Sequence, residues 1–209
     1  MKNVKEFFDD NTKEWSDEVF NEKQRYKIVE KFYECYSKVR NNKPKILDIG
    51  CGVGYESRIL SELGAKVTGV DFSENSINIA KSNVEKVEFV VSDIVESMDN
   101  LGKFDGVLCL ETLDYIDNDN IKKTFENIAN VMKSGALLLV SVLNGELKNE
   151  ERSYIKVGDV EYDKNFYCYG AESLCTFAYP SLKLVDTWQF NDFNEGWRYY
   201  IFMKQNVNV

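Results

Sequence analysis

The chain contains no histidine. That excludes a catalytic triad built on imidazole, an imidazole general base and any histidine-held metal. Metal ligation is left to carboxylates or thiolates, and the sequence clusters neither, so no metal is expected. Positive charge is also short, with 26 Lys and Arg against 35 Asp and Glu and a net charge of −9. An acidic chain is a poor match for a nucleic-acid backbone or an anionic membrane, so neither is expected as a partner. No apolar run is long enough for a membrane span or a signal peptide. The five cysteines (Cys35, Cys51, Cys109, Cys168, Cys175) are odd in number and contain no Cys-x-x-Cys. They read as free thiols in a reducing, cytoplasmic setting. Nothing here fixes an oligomeric state.

What is present is a globular composition, 44% hydrophobic and 13% aromatic over 209 residues. That is enough for one domain with a substantial core. The rest is organised around Ile46-Leu47-Asp48-Ile49-Gly50-Cys51-Gly52-Val53-Gly54. It reads as a buried strand running into a glycine-rich turn, followed by a helix with Ile59, Leu60 and Leu63 on one side and Gly64 at its end. Strand, glycine turn and helix make a nucleotide-type cofactor site. The dinucleotide fingerprint G-x-G-x-x-G fails in both registers, because positions 55 and 57 are Tyr55 and Ser57. The P-loop fails as well, since no Gly-Lys-Ser/Thr follows. Asp48, just before the turn, would repel a pyrophosphate and suits a cationic ligand. Asp71 ends the next strand, Lys66 to Val70, where a carboxylate accepts ribose hydroxyls. A ribose, a cationic end and no phosphate describe S-adenosylmethionine.

Residues Ile46 to Gly54 with Gly69-Val70-Asp71-Phe72-Ser73 resemble the cofactor half of class I S-adenosylmethionine-dependent methyltransferases. The segments Phe89 to Ile94, Phe104 to Ile116 and Met132 to Val140 continue the resemblance in order, over roughly residues 44 to 142. The resemblance implies S-adenosylmethionine as cofactor, S-adenosylhomocysteine as product, and a Rossmann-like three-layer sandwich. The sheet should be mostly parallel and seven-stranded, with a C-terminal antiparallel pair and helices on both faces.

The order of elements agrees. Strands are expected at 46–49, 67–70, 87–91, 106–110 and 136–142, apolar on both parities and so covered on both faces. Ser16 or Asp17 can cap a first helix carrying Val19, Phe20, Ile28, Val29, Phe32, Tyr36 and Val39, ended by Asn41 to Pro44. Ser73 can cap a helix bearing Ile77, Ile79 and Ala80; another, starting near Asp117 to Asp119, is closed by Gly135. Residues 144 to 168 turn polar and then aromatic. A short helix over 170–177 stops before Pro180, and Leu182 to Phe190 with Trp197 to Met203 form the closing pair. One domain is expected over 1–209: an N-terminal helical lid (1–43), a cofactor core (44–142) and a substrate-side segment with the closing strands (143–209).

The resemblance assigns roles. The methionine part of the cofactor would lie over Gly50, Cys51, Gly52 and Gly54, with Asp48 acting on its ammonium. Asp71 would hold the ribose; a helix cap is the plainer reading. Phe72 either packs in the core or lies on the adenine face. Asp93 would accept from the adenine amino group and the Ile94 amide would meet the ring. Leu110 and Glu111 would flank the methionine moiety. Family members often carry histidine where this chain has Tyr115, so an imidazole mechanism does not carry over. Trp15 either covers the cofactor from the lid or staples the first helix. No catalytic residue is nominated. The expected function is methyl transfer to a small-molecule acceptor, seated under the N-terminal segment and Tyr162 to Tyr169, with Trp188, Trp197 and Tyr199 as further candidates. A non-catalytic binder of the same cofactor, a protein methyltransferase and a nicotinamide oxidoreductase are the alternatives.

Overall fold

The structure is a computed structural model that describes residues 2–12, 22–37, 42–143, 151–190 and 196–206, without the side chains of 22, 151–155 and 164. Trp15 and the expected caps at Ser16 and Asp17 lie outside the described residues.

Helix α1 (Val4–Asp10) is capped by Asn3, whose side chain accepts from the Glu6 amide while Glu6 accepts from the Asn3 amide. The sequence reading had only an aromatic segment here. Helix α2 (Glu22–Ser37) follows and buries Ile28, Val29, Phe32 and Tyr36. These positions recur every three or four residues, so one face of the helix is apolar. Then strand and helix alternate: β1 (Lys45–Ile49), α3 (Tyr55–Glu62), β2 (Lys66–Asp71), α4 (Glu74–Asn83), β3 (Glu88–Val91), β4 (Phe104–Cys109), α5 (Ile121–Val131) and β5 (Met132–Leu143). The chain ends with β6 (Glu151–Val157), β7 (Val160–Phe166), α6 (Ala171–Ala178), β8 (Leu182–Trp188) and β9 (Trp197–Lys204).

Seven strands form one sheet in the order β3-β2-β1-β4-β5-β9-β8. All pairs up to β4–β5 are parallel, and β9 runs antiparallel to both β5 and β8. The expected architecture and closing pair are present. Side-chain alternation sorts the strands' apolar residues onto two faces. Leu47, Ile49, Val107 and Leu138 pack with Phe125 and Ile128 of α5 and Leu174 of α6. Ile46, Leu108 and Leu139 pack with Ile28 and Phe32 of α2 and Ile59 and Leu60 of α3. Full burial of each such side chain stabilises the fold by about 1.5–3 kcal/mol relative to exposure.

Two local expectations need correction. Gly135 does not close the helix before it. α5 ends at Val131, and Met132 already pairs with Phe104, so Gly135 lies inside β5 with φ +70°. The β4–β5 register shifts between Phe104 and Gly106, and a left-handed glycine lets the strand absorb that shift. Residues 151–166 form a hairpin, β6–β7, where only a polar and aromatic segment was read. The Gly158-Asp159 turn, with Gly158 at φ +60°, joins strands too polar to stand out by hydrophobic alternation.

Candidate functional site

Strand order reverses between β1 and β4: the chain builds outward from β1 through β2 to β3, then returns to place β4 on β1's other side. Open α/β sheets bind ligands at the carboxyl ends of the strands at such a point. A cavity of about 380 Å³ opens there.

Its floor is the turn after β1. Gly50 and Cys51 donate their amides to the Val70 carbonyl at 2.8 and 3.0 Å, tying the turn to β2. Gly50 has φ +68°, and a Cβ there would collide with the Thr112 side chain. Gly52 also has positive φ, but a Cβ on it would meet nothing within 4 Å. That open side faces the space a ligand can fill. Gly54 is different. It does not line the cavity, and a Cβ on it would press on Phe89 and Ala80. Its glycine is required by helix packing at the start of α3.

Asp71 holds the turn from the β2 side. Its Oδ2 accepts from the Gly52 amide at 3.0 Å and its Oδ1 from the Ser73 amide at 2.8 Å. Each oxygen keeps a further lone pair for a ligand. Burial raises its pKa above the ordinary carboxylate value. The cap of α4 is Ser73, as its position suggested, through a bond from the Ser76 amide. Phe72 lines the cavity beside the Phe8 ring, at 6.1 Å between centroids. Ser92, Asp93 and Ile94 form the wall after β3, and Asp93 Oδ1 accepts from the Val95 amide at 3.0 Å.

The opposite end is strongly acidic. Asp48 is almost fully buried, and its Oδ2 accepts from Ser57 Oγ at 2.6 Å. Burial, with the Glu56 charge beside it, pushes its pKa up to about 8. Arg25 of α2 reaches in and pairs with both Glu56 and, at 2.8 Å, Glu111. Burial raises the pKa of Glu111, while Arg25 opposes the shift. Glu111 has φ +52°, a strained conformation for a residue with a side chain. Its amide donates to Ser141 Oγ at 2.8 Å, which with Arg25 fixes the carboxylate over the cavity.

Of the twelve residues proposed from sequence for the cofactor, ten line this cavity: Asp48, Gly50, Cys51, Gly52, Asp71, Phe72, Asp93, Ile94, Leu110 and Glu111. Gly54 stands behind it and Trp15 is outside the described residues. The acceptor-side expectations divide. Phe166 and Trp197 are on the wall, with Tyr115. Trp188 and Tyr199 are in the core instead, and Tyr162, Tyr167 and Tyr169 are buried away from the cavity. Trp188 donates to Asp186 at 2.8 Å and carries Lys31 4.1 Å over its ring. Sequence reasoning missed Arg25, Glu56, Thr112 and Phe8, all on the wall. The signal for Arg25 was legible, because it sits three residues before Ile28 on the buried stripe of α2, where a charge is costly unless paired.

Among the described residues no group of three or more Cys, Asp or Glu could hold a metal ion. None of the described helices is long and apolar enough to cross a membrane.

Residues 46–135 match a family model described as a methyltransferase domain. Ubiquinone biosynthesis O-methyltransferase of Coxiella burnetii (strain Dugway 5J108-111) is 33% identical over 140 residues, 65% of this chain and 58% of that protein. The protein of the same name from Dechloromonas aromatica (strain RCB) is 31% identical over 144 residues, 66% of this chain and 59% of that one. The chain thus spans under three fifths of the length of these relatives. Among solved structures, magnesium protoporphyrin IX methyltransferase of Synechocystis PCC 6803, with bound S-adenosylmethionine, superposes with a TM-score of 0.71 at 16% identity. That match covers 97% of this chain and 95% of the other. An S-adenosylmethionine-dependent methyltransferase of Clostridium acetobutylicum ATCC 824 gives 0.70 at 17% identity, over 96% and 98% of the two chains. At such identities the likeness is one of fold.

Proposed function

Because residues 46–135 belong to the methyltransferase-domain family, and the chain around them has the class I S-adenosylmethionine-dependent fold, we propose that this protein transfers a methyl group from S-adenosylmethionine to a small-molecule acceptor. One observation carries the reading. The cavity at the β1–β4 reversal brings the open glycine turn, Asp71 and a buried acidic end together in one space.

The residues fit the cofactor part by part. Asp71 takes the ribose. Asp93, Ile94 and Phe72 border the adenine. Asp48 faces the ammonium, and Arg25 is the cation on this wall suited to a methionine carboxylate. The cofactor supplies a methyl group on a sulfonium, which is a good leaving group. The protein's part is then to align, to stabilise charge and to exclude water. Phe8 and Phe166 close the cavity from α1 and β7, and Tyr115 packs between them. The acidic wall opposes a dinucleotide pyrophosphate, which weighs against a nicotinamide oxidoreductase.

Calorimetric titration with S-adenosylmethionine and S-adenosylhomocysteine tests the reading, with NADH and Asp71→Ala as controls. The expected result is micromolar binding of both sulfur ligands, lost in the variant, with no binding of NADH. A folded protein that binds neither sulfur ligand retires the proposal.

A further inference from the structure

We propose that Asp9 of α1 is a positioning residue for the cofactor: through Ser73 it ties α1 to the carboxylate assigned to the ribose, so that cofactor binding and the docking of α1 reinforce each other. This rests on the methyl-transfer reading above.

Ser73 joins the two sides. It is almost fully buried. Its amide donates to Asp71 Oδ1 at 2.8 Å, on the cofactor side. Its hydroxyl donates to Asp9 Oδ1 at 2.7 Å, on the α1 side, and accepts from the Ser76 amide at 3.0 Å. Asp71 in turn accepts from the Gly52 amide at 3.0 Å. The glycine turn, Asp71, the cap of α4 and the N-terminal helix are therefore one hydrogen-bonded chain.

Asp9 is well anchored at that end. Its Oδ1 also accepts from the Asn75 amide at 3.1 Å, and its carbonyl accepts from Asn75 Nδ2 at 2.9 Å. A carboxylate at the first turn of α4 meets the helix amides that lack partners within the helix. Burial raises the pKa of Asp71, and the Asp9 charge adds to the shift, so the two carboxylates sense each other. Ribose hydroxyls donating to Asp71 disperse part of its charge and ease that repulsion, which favours α1 in place.

Docking matters to the cavity although Asp9 itself does not line it. Its neighbours Phe8 and Thr12 do, and the Phe8 ring meets both Phe72, at 6.1 Å, and Tyr115, at 4.9 Å. A seven-residue helix is too short to persist alone in water, so α1 keeps its form only while docked. Coupling of this kind is reciprocal: the factor by which bound cofactor favours docking is the factor by which docking favours the cofactor.

Amide hydrogen exchange of the full chain, with and without S-adenosylhomocysteine, reads the first half of that statement. The α1 amides, those of Phe7 and Asn11 among them, should exchange about tenfold more slowly with the ligand bound. Calorimetry reads the second half. Asp9→Ala should weaken S-adenosylhomocysteine about tenfold, and Asp9→Asn, which keeps an acceptor for Ser73 and Asn75, should restore the affinity. Tyr162→Phe, which cuts the tether from Asp10 to the hairpin, should cost less than Asp9→Ala. Exchange in α1 that ignores the ligand overturns the proposal, and the native protein alone decides this should Asp9→Ala fail to fold. Native affinity in a destabilised Asp9→Ala, or a loss in Asp9→Asn or Tyr162→Phe equal to that of Asp9→Ala, overturns it as well. A native protein that binds no S-adenosylhomocysteine at all would instead sink the methyl-transfer reading beneath it.

Discussion

Asp48 should make cofactor binding depend on pH in a direction the structure fixes. In the unliganded protein its carboxyl has a pKa of about 8, raised by burial and by the Glu56 charge. At neutral pH it is therefore mostly protonated, and a cationic ligand beside it favours the ionised form. Binding must then expel a proton. At pH 7 binding should release up to one proton per cofactor, and on the acid side affinity should fall by up to about tenfold per pH unit. The cofactor's own α-amino group loses its charge near pH ~8, so affinity should peak there and decline above it. Calorimetry of S-adenosylhomocysteine in buffers of different ionisation enthalpy, from pH 6 to 9, measures both quantities. Asp48→Asn keeps a partner for Ser57 Oγ and removes the titrating group. It should bind more weakly at pH 8 and show no slope on the acid side. An acid limb that is flat in the native protein, or equally steep in Asp48→Asn, would falsify this account of the site.

Arg25→Ala leaves Glu56 and Glu111 partly buried without their cation; urea unfolding should show a loss of up to about 3–5 kcal/mol, and unchanged stability would mean that the pairing contributes nothing. Gly50→Ala forces a side chain to φ +68° and against Thr112; it should cost about 1–3 kcal/mol and abolish S-adenosylhomocysteine binding, whereas wild-type affinity would show that the turn tolerates a Cβ. For the unliganded protein, burial lifts Asp48 far above its unfolded carboxylate value of 3.8. The folded state thus holds a proton that the unfolded state has lost, so this contribution is full below pH ~4 and is lost as pH rises towards 8. Thermal melts should therefore fall over that window in the native protein and fall less in Asp48→Asn; identical pH profiles would refute the linkage.

The cofactor half was legible because its information is local. A strand, a turn and a helix lie within twenty residues. Each constraint, such as Gly50 at a left-handed φ or Asp71 at a strand end, leaves its mark at one position. The apolar runs of β1 and β4 announced burial on both faces, and the two packed clusters are that burial. Gly54 shows where such reading overreaches. It is a glycine for the sake of Phe89 and Ala80, yet in sequence it cannot be told from Gly52, whose open side faces the cavity. Arg25 shows the reverse. Its partners Glu56 and Glu111 lie 31 and 86 residues away, so only the anomaly of a charge on an apolar stripe was visible.

The end of the cavity walled by Phe8, Tyr115 and Phe166 is nonlocal throughout, and one set of contacts explains how it is held. The amide of Lys2 donates to Glu161 at 3.0 Å, and Asp163 donates back to Lys2 at 2.7 Å, so the chain start runs beside β7. Tyr162 donates to Asp10 at 2.9 Å and meets the Phe7 ring edge-on at 5.3 Å. α1 and the β6–β7 hairpin are thereby tied together, and each sends one ring, Phe8 or Phe166, onto Tyr115. Tyr115 lies in the loop after β4, whose neighbour Asp114 accepts from Leu143 at 3.1 Å and from Tyr167 at 2.7 Å. The loop after β4, which carries Glu111 on the cavity wall, thus also anchors the segments that close the cavity's far end. Tyr115 supplies a ring for two others to pack on and a hydroxyl that keeps its proton. Its two edge-on contacts thus close this end of the cavity against water.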